Sequence, residues 1–238
     1  HWIWVLDRGK VFERDADGHP IRMIGSHQEI SGRKTAEEKL ASIRAFEQMT
    51  TTISSNFLNI PVEQIDCMVE ETLRLIGEHL GADRANVFLF SDDMGVMHNT
   101  HEWCAEGIEP QINVLRNVPI GGSPCSWWMD LIKKNEIIYI PRVDHLPAEA
   151  SIEKAILLAR GIQSVIEIPL AMGSTTMGYV GFDAIRQARN WQHDTASVLT
   201  LAGGVIANAL QRQKVEKVIQ AEFDLVVRLS TTSSFRET

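Results

Sequence analysis

The stretch MHNTHEWCAEGI, Met97 to Ile108, puts two imidazoles, a carboxylate and a thiol close together in His98, His101, Glu102 and Cys104. As a helix, it would set His98, His101 and Glu102 on one face, where they could hold zinc. As a strand, it alternates: His98, Thr100, Glu102 and Cys104 face one way, and Asn99, His101, Trp103 and Ala105 face the other. His98 and Cys104 then stand about 20 Å apart at ~3.3 Å per residue, too far to share a metal. The turn SDDMG just before it favours the strand. The stretch is therefore read without a metal site, with Trp103 or Cys104 in a core or lining a pocket.

A second cluster is GGSPCSWWMD. Ser123 suits a helix N-cap and Pro124 the first helical position. Cys125 would then lie at the positive end of a helix dipole, where a thiol pKa can fall and free amides can hold an anion. Trp127 and Trp128 add a flat apolar wall. These residues, with Trp103 and Cys104, form the candidate ligand rim.

Other chemistry is sparse. The three cysteines, Cys67, Cys104 and Cys125, are far apart and form no CxxC pair, which points to reduced thiols and no structural zinc. Cys67 reads as an inert thiol on a helix flank. No GxSxG, Walker A or GxGxxG stretch occurs. His145 in a loop and His193 at a helix start read as surface or cap residues. The chain itself is expected not to be an enzyme.

The bulk numbers are those of a globular protein: 238 residues, 44% hydrophobic, 23% charged and a net charge of −8. That balance favours neither nucleic acid nor an anionic membrane. No apolar run approaches the roughly 18 residues of a spanning helix, and the expected location is the cytoplasm. The start, HWIWVLDRGK, lacks a signal-peptide pattern and reads as the interior of a longer polypeptide.

The elements that must hold these residues follow from periodicity. Residues 1–30 read as two strands around the turn ADGHP, a hairpin that cannot fold alone. Thr35 and Glu38 suggest a capping box at the head of a connector helix, residues 31–57, whose apolar positions recur at about the 3.5-residue spacing of a coiled coil. Residues 58–212 hold the main domain. In it, Ile65, Met68, Val69, Leu73, Ile76 and Leu80 mark an amphipathic helix between Pro61 and Gly81. ANVFLF and EIIYI read as strands, and SIEKAILLARG as a helix capped by Ser151. SVIEIPL and TMGYVGFDAI pair as a hairpin across AMGST. A long helix runs from about His193. Beyond Leu210, Val215, Val218, Glu222, Leu225 and Leu229 keep a 3-4 spacing, so residues 213–238 read as an exit helix with a coiled-coil seam.

Two resemblances stand on these residues. The first 40 residues resemble the C-terminal end of a PAS domain with its exit linker, through Gly25, Glu29, Ile30, Ser31, Arg33, Lys34, Ala36 and Glu37. From about Phe46 to Arg212 the chain resembles a GAF domain of bacterial sensor kinases and diguanylate cyclases, in HNTHEWCAEGI, SWWMDLIKKNEIIYIPRVDHLPAEA, GIQSVIEIPLAMGSTTMGYVGFDA and LTLAGGVIANALQRQ. The resemblance implies an α+β fold: a central antiparallel sheet flanked by helices, with long N- and C-terminal helices. It also implies a ligand pocket opposite the long helices. Bilin-binding members attach pigment through a helix Cys typically followed by His, whereas Cys125 is followed by Ser126. The Asn-Lys-Phe-Asp-Glu set of cyclic-nucleotide-binding members does not occur, and the cysteines are too widely spaced for the members that reduce methionine sulfoxide.

The expected role is a sensory module that relays a small-molecule or conformational signal to a downstream output domain through a helical homodimer. The alternatives are a ligand-free dimerisation scaffold, a bilin photoreceptor or a cysteine-dependent redox enzyme. The small ligand and any cofactor are not identified by the sequence.

Overall fold

The computed structural model describes residues 2–120, 126–173, 175–191 and 193–234. The chain divides into two units, His1–Met49 and Thr50–Thr238.

The first unit holds an antiparallel hairpin of β1 (Val5–Arg14) and β2 (Pro20–Glu29) and the start of helix α1 (Ser31–Leu58). Asp15 shapes the turn, its Oδ1 accepting from the Asp17 and His19 amides at 3.0 and 2.8 Å. A two-stranded sheet has nothing to bury its apolar side chains against, and Trp4, Phe12, Ile21 and Met23 are exposed. The helix begins earlier than the capping box predicts. Thr35 lies inside it, its hydroxyl donating back to the Ser31 carbonyl, while Ser31 Oγ accepts from the Trp4 amide.

The second unit is built on a six-stranded antiparallel sheet in the order β5-β4-β3-β8-β7-β6. Its strands are β3 (Arg84–Phe90), β4 (Val96–Cys104), β5 (Val118–Pro119), β6 (Ile138–Ile140), β7 (Ser164–Met172) and β8 (Thr175–Ala184). Helices α2 (Ile65–Leu80) and α5 (His193–Ser234) pack on it, and α3 (Ser126–Lys133) and α4 (Ser151–Ala159) complete the unit. Ser151 is the first residue of α4 rather than its cap, because a 3-10 turn over Ala148–Ala150 leads straight into the helix.

The alternation of the strands creates two different sheet faces. Val87, Ile166, Ile168, Leu170, Val180 and Phe182 point one way and are buried to 2% exposure or less. Against this face, Ile65, Val69, Leu73 and Ile76 of α2 and Leu199 and Ile206 of α5 are equally buried. Burying each such side chain contributes roughly 1.5–3 kcal/mol before the entropy of ordering is subtracted. Gly81, at φ 60°, ends α2 in the left-handed turn that glycine adopts at least cost.

Strand β4 does not keep the simple alternation expected of it. His101 is opposite Val87 but Asn99 is opposite Phe88, so Thr100 is an extra residue in a β-bulge. Thr100 donates its hydroxyl to the Val87 carbonyl at 3.2 Å. The bulge moves Asn99 to the face of Glu102 and Cys104, and puts His98 with His101 and Trp103 on the helix face. There His101 Nε2 lies 3.1 Å from Asp66 Oδ1 of α2, which also accepts from Gln213 of α5 at 2.9 Å. Burial pulls the Asp66 carboxyl up, but hydrogen bonds from Gln213 and His101 win and hold it below its ordinary value.

Trp103 is seated on α2 at Gly77. A Cβ on Gly77 would fall 2.4 Å from Trp103 Cζ3, so the helix approaches this strand only because residue 77 has no side chain. Gly77→Ala is expected to lower stability by about 1–3 kcal/mol through overpacking, in spite of alanine's better helix propensity. Adding Trp103→Leu should recover most of the loss. Urea unfolding of the two variants checks this; an unchanged single variant would show that the contact is loose.

Candidate functional site

On the other face of the sheet the polar residues are not scattered. Arg84 pairs with Asp183 across β3 and β8, and Asn86 pairs with Gly181, which pairs on its far side with Glu167 of β7. Arg84 and Asn86 are two apart in β3, as are Gly181 and Asp183 in β8, so all five residues share a face. Arg84, Asn86, Glu167 and Asp183 are each 6% exposed or less. They form the polar end of a cavity of about 380 Å³.

Apart from Glu153 and Arg160, the rest of the cavity lining is apolar. Phe88, Met97, Leu115, Val118, Pro119 and Tyr179 line it near β3, β4 and β5, and Trp128, Met129, Ile156, Leu157 and Ile162 line it from the helical side. Phe88 and Tyr179 stack with centroids 5.0 Å apart. Ile132, Ile138, Ile140, Val143 and Val165 extend the apolar cluster behind the lining. An apolar wall with a few convergent polar groups is the usual constitution of a small-molecule site.

Each buried charge has a partner. Arg84 Nε and Nη2 both donate to Asp183 Oδ2, at 2.9 and 2.6 Å. Glu167 Oε2 accepts from the Trp128 indole N–H at 3.1 Å, and Glu153 Oε1 of α4 accepts from the Trp128 main-chain amide at 3.2 Å. Trp128 thereby ties α3 to β7 and α4 at once. Burial, reinforced by nearby Asp183, pushes the Glu167 carboxyl well above its ordinary value, against the Trp128 hydrogen bond and the Arg160 charge. Burial also raises Asp183, despite Arg84. Asn86 Oδ1 is buried and has no hydrogen-bond partner.

Of the residues singled out from the sequence, Trp128 lines the cavity. Trp127 packs against the adjoining apolar cluster, its ring centroid 6.5 Å from that of Trp128, and lies outside the lining. Trp103 points to the helix face, against Gly77, so it is not a pocket wall; the bulge does not alter its side, and its face is the one that α2 covers. Cys104 shares the cavity's face at the Arg84 row but is not part of the lining. Burial and the charge of Glu102 push its thiol up to about 11, the opposite of an activated nucleophile. Cys125, with Ser123 and Pro124, lies outside the described residues.

Glu102 organises a loop: its carboxylate accepts from the Gln111 and Ile112 amides at 2.7 and 2.9 Å and from Asn99 Nδ2 at 3.0 Å. Among the described residues, no group of three His, Cys, Asp or Glu side chains is placed to hold a metal ion. The polar cavity residues leave a signal in the sequence outside any motif. Each interrupts an otherwise apolar strand at period two: Arg84 and Asn86 in RANVF, Glu167 in SVIEIPL, Asp183 in GFDA.

The family model described as GAF domain matches residues 64–210. A curated relative, the methanogenesis regulatory histidine kinase FilI of Methanothrix harundinacea (strain 6Ac), is 28% identical over 225 residues. That alignment takes in 92% of this chain and 25% of the relative, so the chain spans about a quarter of that protein's length. Among solved structures, the chromophore-binding domain of the bacteriophytochrome RpBphP3 from R. palustris superposes with a TM-score of 0.59 at 13% identity, covering 74% of this chain and 63% of that one. The phycoerythrobilin-bound GAF domain of a cyanobacterial phytochrome gives 0.58 at 17% identity, covering 72% and 96%. At these identities the likeness is one of fold.

Two outcomes follow from the buried charges. Arg84→Met leaves Asp183 buried without its partner and should cost about 3–5 kcal/mol in urea unfolding, much of it recovered by adding Asp183→Leu. Glu167 is protonated in both states below its unfolded value near 4.5. As pH rises, the unfolded chain ionises first and the folded chain holds its proton, so stability is lost until the raised folded pKa is passed. Glu167→Gln removes that loss. Its melting temperature relative to wild type should therefore rise from about pH 4.5 upward, until the raised folded value is passed. A difference that does not change with pH would show that Glu167 is ionised in the fold.

Proposed function

We propose that this chain, which belongs to the GAF domain family, is the ligand-responsive regulatory section of a longer signal-transduction protein. The observation that carries this is the cavity beside the sheet, apolar over most of its wall and polar at one end. The FilI likeness supports a kinase-type output domain further along the polypeptide. No helix among the described residues is long and apolar enough to cross a membrane, and a cytoplasmic setting suits the thiols. The hairpin and connector helix of the first unit are read as the end of a PAS domain and its linker.

The relay runs through helices. α5 continues far past the sheet, and Val215, Val218, Ile219, Phe223, Leu225 and Val226 are 46–63% exposed. Apolar residues at 3-4 spacing on a solvent-facing helix are the pattern of a coiled-coil seam. In α1, Leu40 and Ile43 are exposed in the same way. A second copy of the chain, in parallel, is the partner that buries both seams. A ligand with different affinity for two arrangements of this dimer would shift the balance between them, as a rotation or register change of the exit helices.

Sedimentation equilibrium tests the dimer. The wild-type chain should be dimeric, and Val218→Lys with Leu225→Lys should make it monomeric with the sheet unit still folded. A wild type that stays monomeric at every concentration would sink the helical relay.

A further inference from the structure

Gly181 sits between two acceptors. A Cβ on it would lie 2.8 Å from Asn86 Oδ1 and 3.1 Å from Glu167 Oε1. The bare glycine thus lets the two oxygens close in on the cavity side of the sheet, nearer than any side chain at 181 would allow. Asn86 is 5% exposed and its Oδ1 has no partner in the protein. An unmet buried acceptor carries a free-energy cost that a ligand donor removes.

Acidic side chains outnumber basic ones in the cavity lining. Glu153, Glu167 and Asp183 line the cavity against Arg84 and Arg160. Arg84 already gives two hydrogen bonds to Asp183, and Arg160 reaches the lining from an exposed position at the end of α4. An anion brought to Gly181 would meet Asn86 Oδ1 and a Glu167 oxygen as its nearest polar atoms. A hydroxyl supplies one donor for two acceptors, whereas an ammonium or amidinium supplies several.

We propose, resting on the reading of this cavity as a ligand site, that its ligand is a small organic cation: a compact apolar body with a primary ammonium or amidinium. The cationic head sits over Gly181, donating to Asn86 Oδ1 and Glu167, and the body lies against Phe88, Tyr179 and Trp128. The cavity volume of about 380 Å³ is near the lower end of the roughly 300–1,000 Å³ of small-molecule sites. Glu167 gains an ion partner in the complex, which draws its carboxyl toward the ionised form; Asp183, Arg160 and the Trp128 indole are the other groups facing it.

Four matched probes test this: 2-phenylethylamine and benzamidine as cations, 2-phenylethanol as the neutral partner and phenylacetate as the anion. Each is titrated into the chain while the Trp128 indole N–H resonance, assigned with Trp128→Phe, is followed by NMR. The cations should move that resonance and bind about tenfold or more tighter than the alcohol, with phenylacetate weakest. Glu167→Gln keeps an acceptor for Trp128 and should erase about tenfold of the cation preference while the alcohol is unaffected. Gly181→Ala forces Asn86 Oδ1 and Glu167 Oε1 away from residue 181 and should abolish cation binding. Equal binding of amine and alcohol, or tighter binding of phenylacetate, overturns the cation assignment and leaves a ligand pocket standing. Silence from all four overturns the assignment as well. The pocket reading itself falls only if a broad mixture of apolar small molecules is equally silent.

Discussion

The ion pair between Arg84 and Asp183 constrains the whole face of the sheet on which it lies. It joins the two central strands, β3 and β8, with both side chains about 5% exposed. A charge in that position cannot be left alone, so its neighbours must be polar or must enclose it. Asp183 raises the cost of ionising Glu167 one strand away. Glu167 in turn takes the indole N–H of Trp128, and Trp128 gives its main-chain amide to Glu153. The positions of α3 and α4 are thus fixed partly by a chain of polar partners that begins at the centre of the sheet. Asp83, next to Arg84, extends the same logic to the end of β8, its carboxylate accepting from the Ile185 and Arg186 amides at 2.6 and 2.9 Å.

Strand β7 belongs to both faces. Val165 and Glu167 face the cavity side, and Ile166, Ile168 and Leu170 face the long helices. A Cβ on Gly203 of α5 would lie 3.4 Å from Ile168 Cγ2 and 3.5 Å from Leu170 Cδ2, so helix and strand are in close contact there. Close-packed interiors transmit displacement rather than absorb it. A movement of β7 at Glu167 is therefore felt by α5 at Gly203, within two residues along the strand. On the same face of the sheet, His101, Asp66 and Gln213 join β4, α2 and α5 in one polar contact.

The sequence made the fold legible where periodicity was strong. The stripe of Ile65, Val69, Leu73 and Ile76 and the glycine at 81 defined α2 without help. The hairpin of β7 and β8 followed from its turn and β-branched runs. The site was far less legible. Trp103 and Trp128 are equally conspicuous as letters, yet one seats a helix and the other lines the cavity, because the side a residue takes depends on register with a distant strand. The pairing of Asn86 with Gly181 joins residues 95 apart along the chain, a relation no local pattern carries. The helices begin at Ser31 and Ser151 as their spans predict, but Thr35 and Ser151, which suit caps by type, lie within them because the preceding residues already follow the helical path.

The bulge at Thr100 bears on how chains of this kind change length. Because Thr100 has no counterpart on β3, its removal would leave every other residue of β4 opposite its present neighbour and on its present side. Removing a residue several places away would exchange the faces of the residues between that point and the bulge. A one-residue gap in this strand is thus neutral for side-chain placement at the bulge and disruptive further along. Lineages that shed or gain a residue in β4 are expected to do so at Thr100.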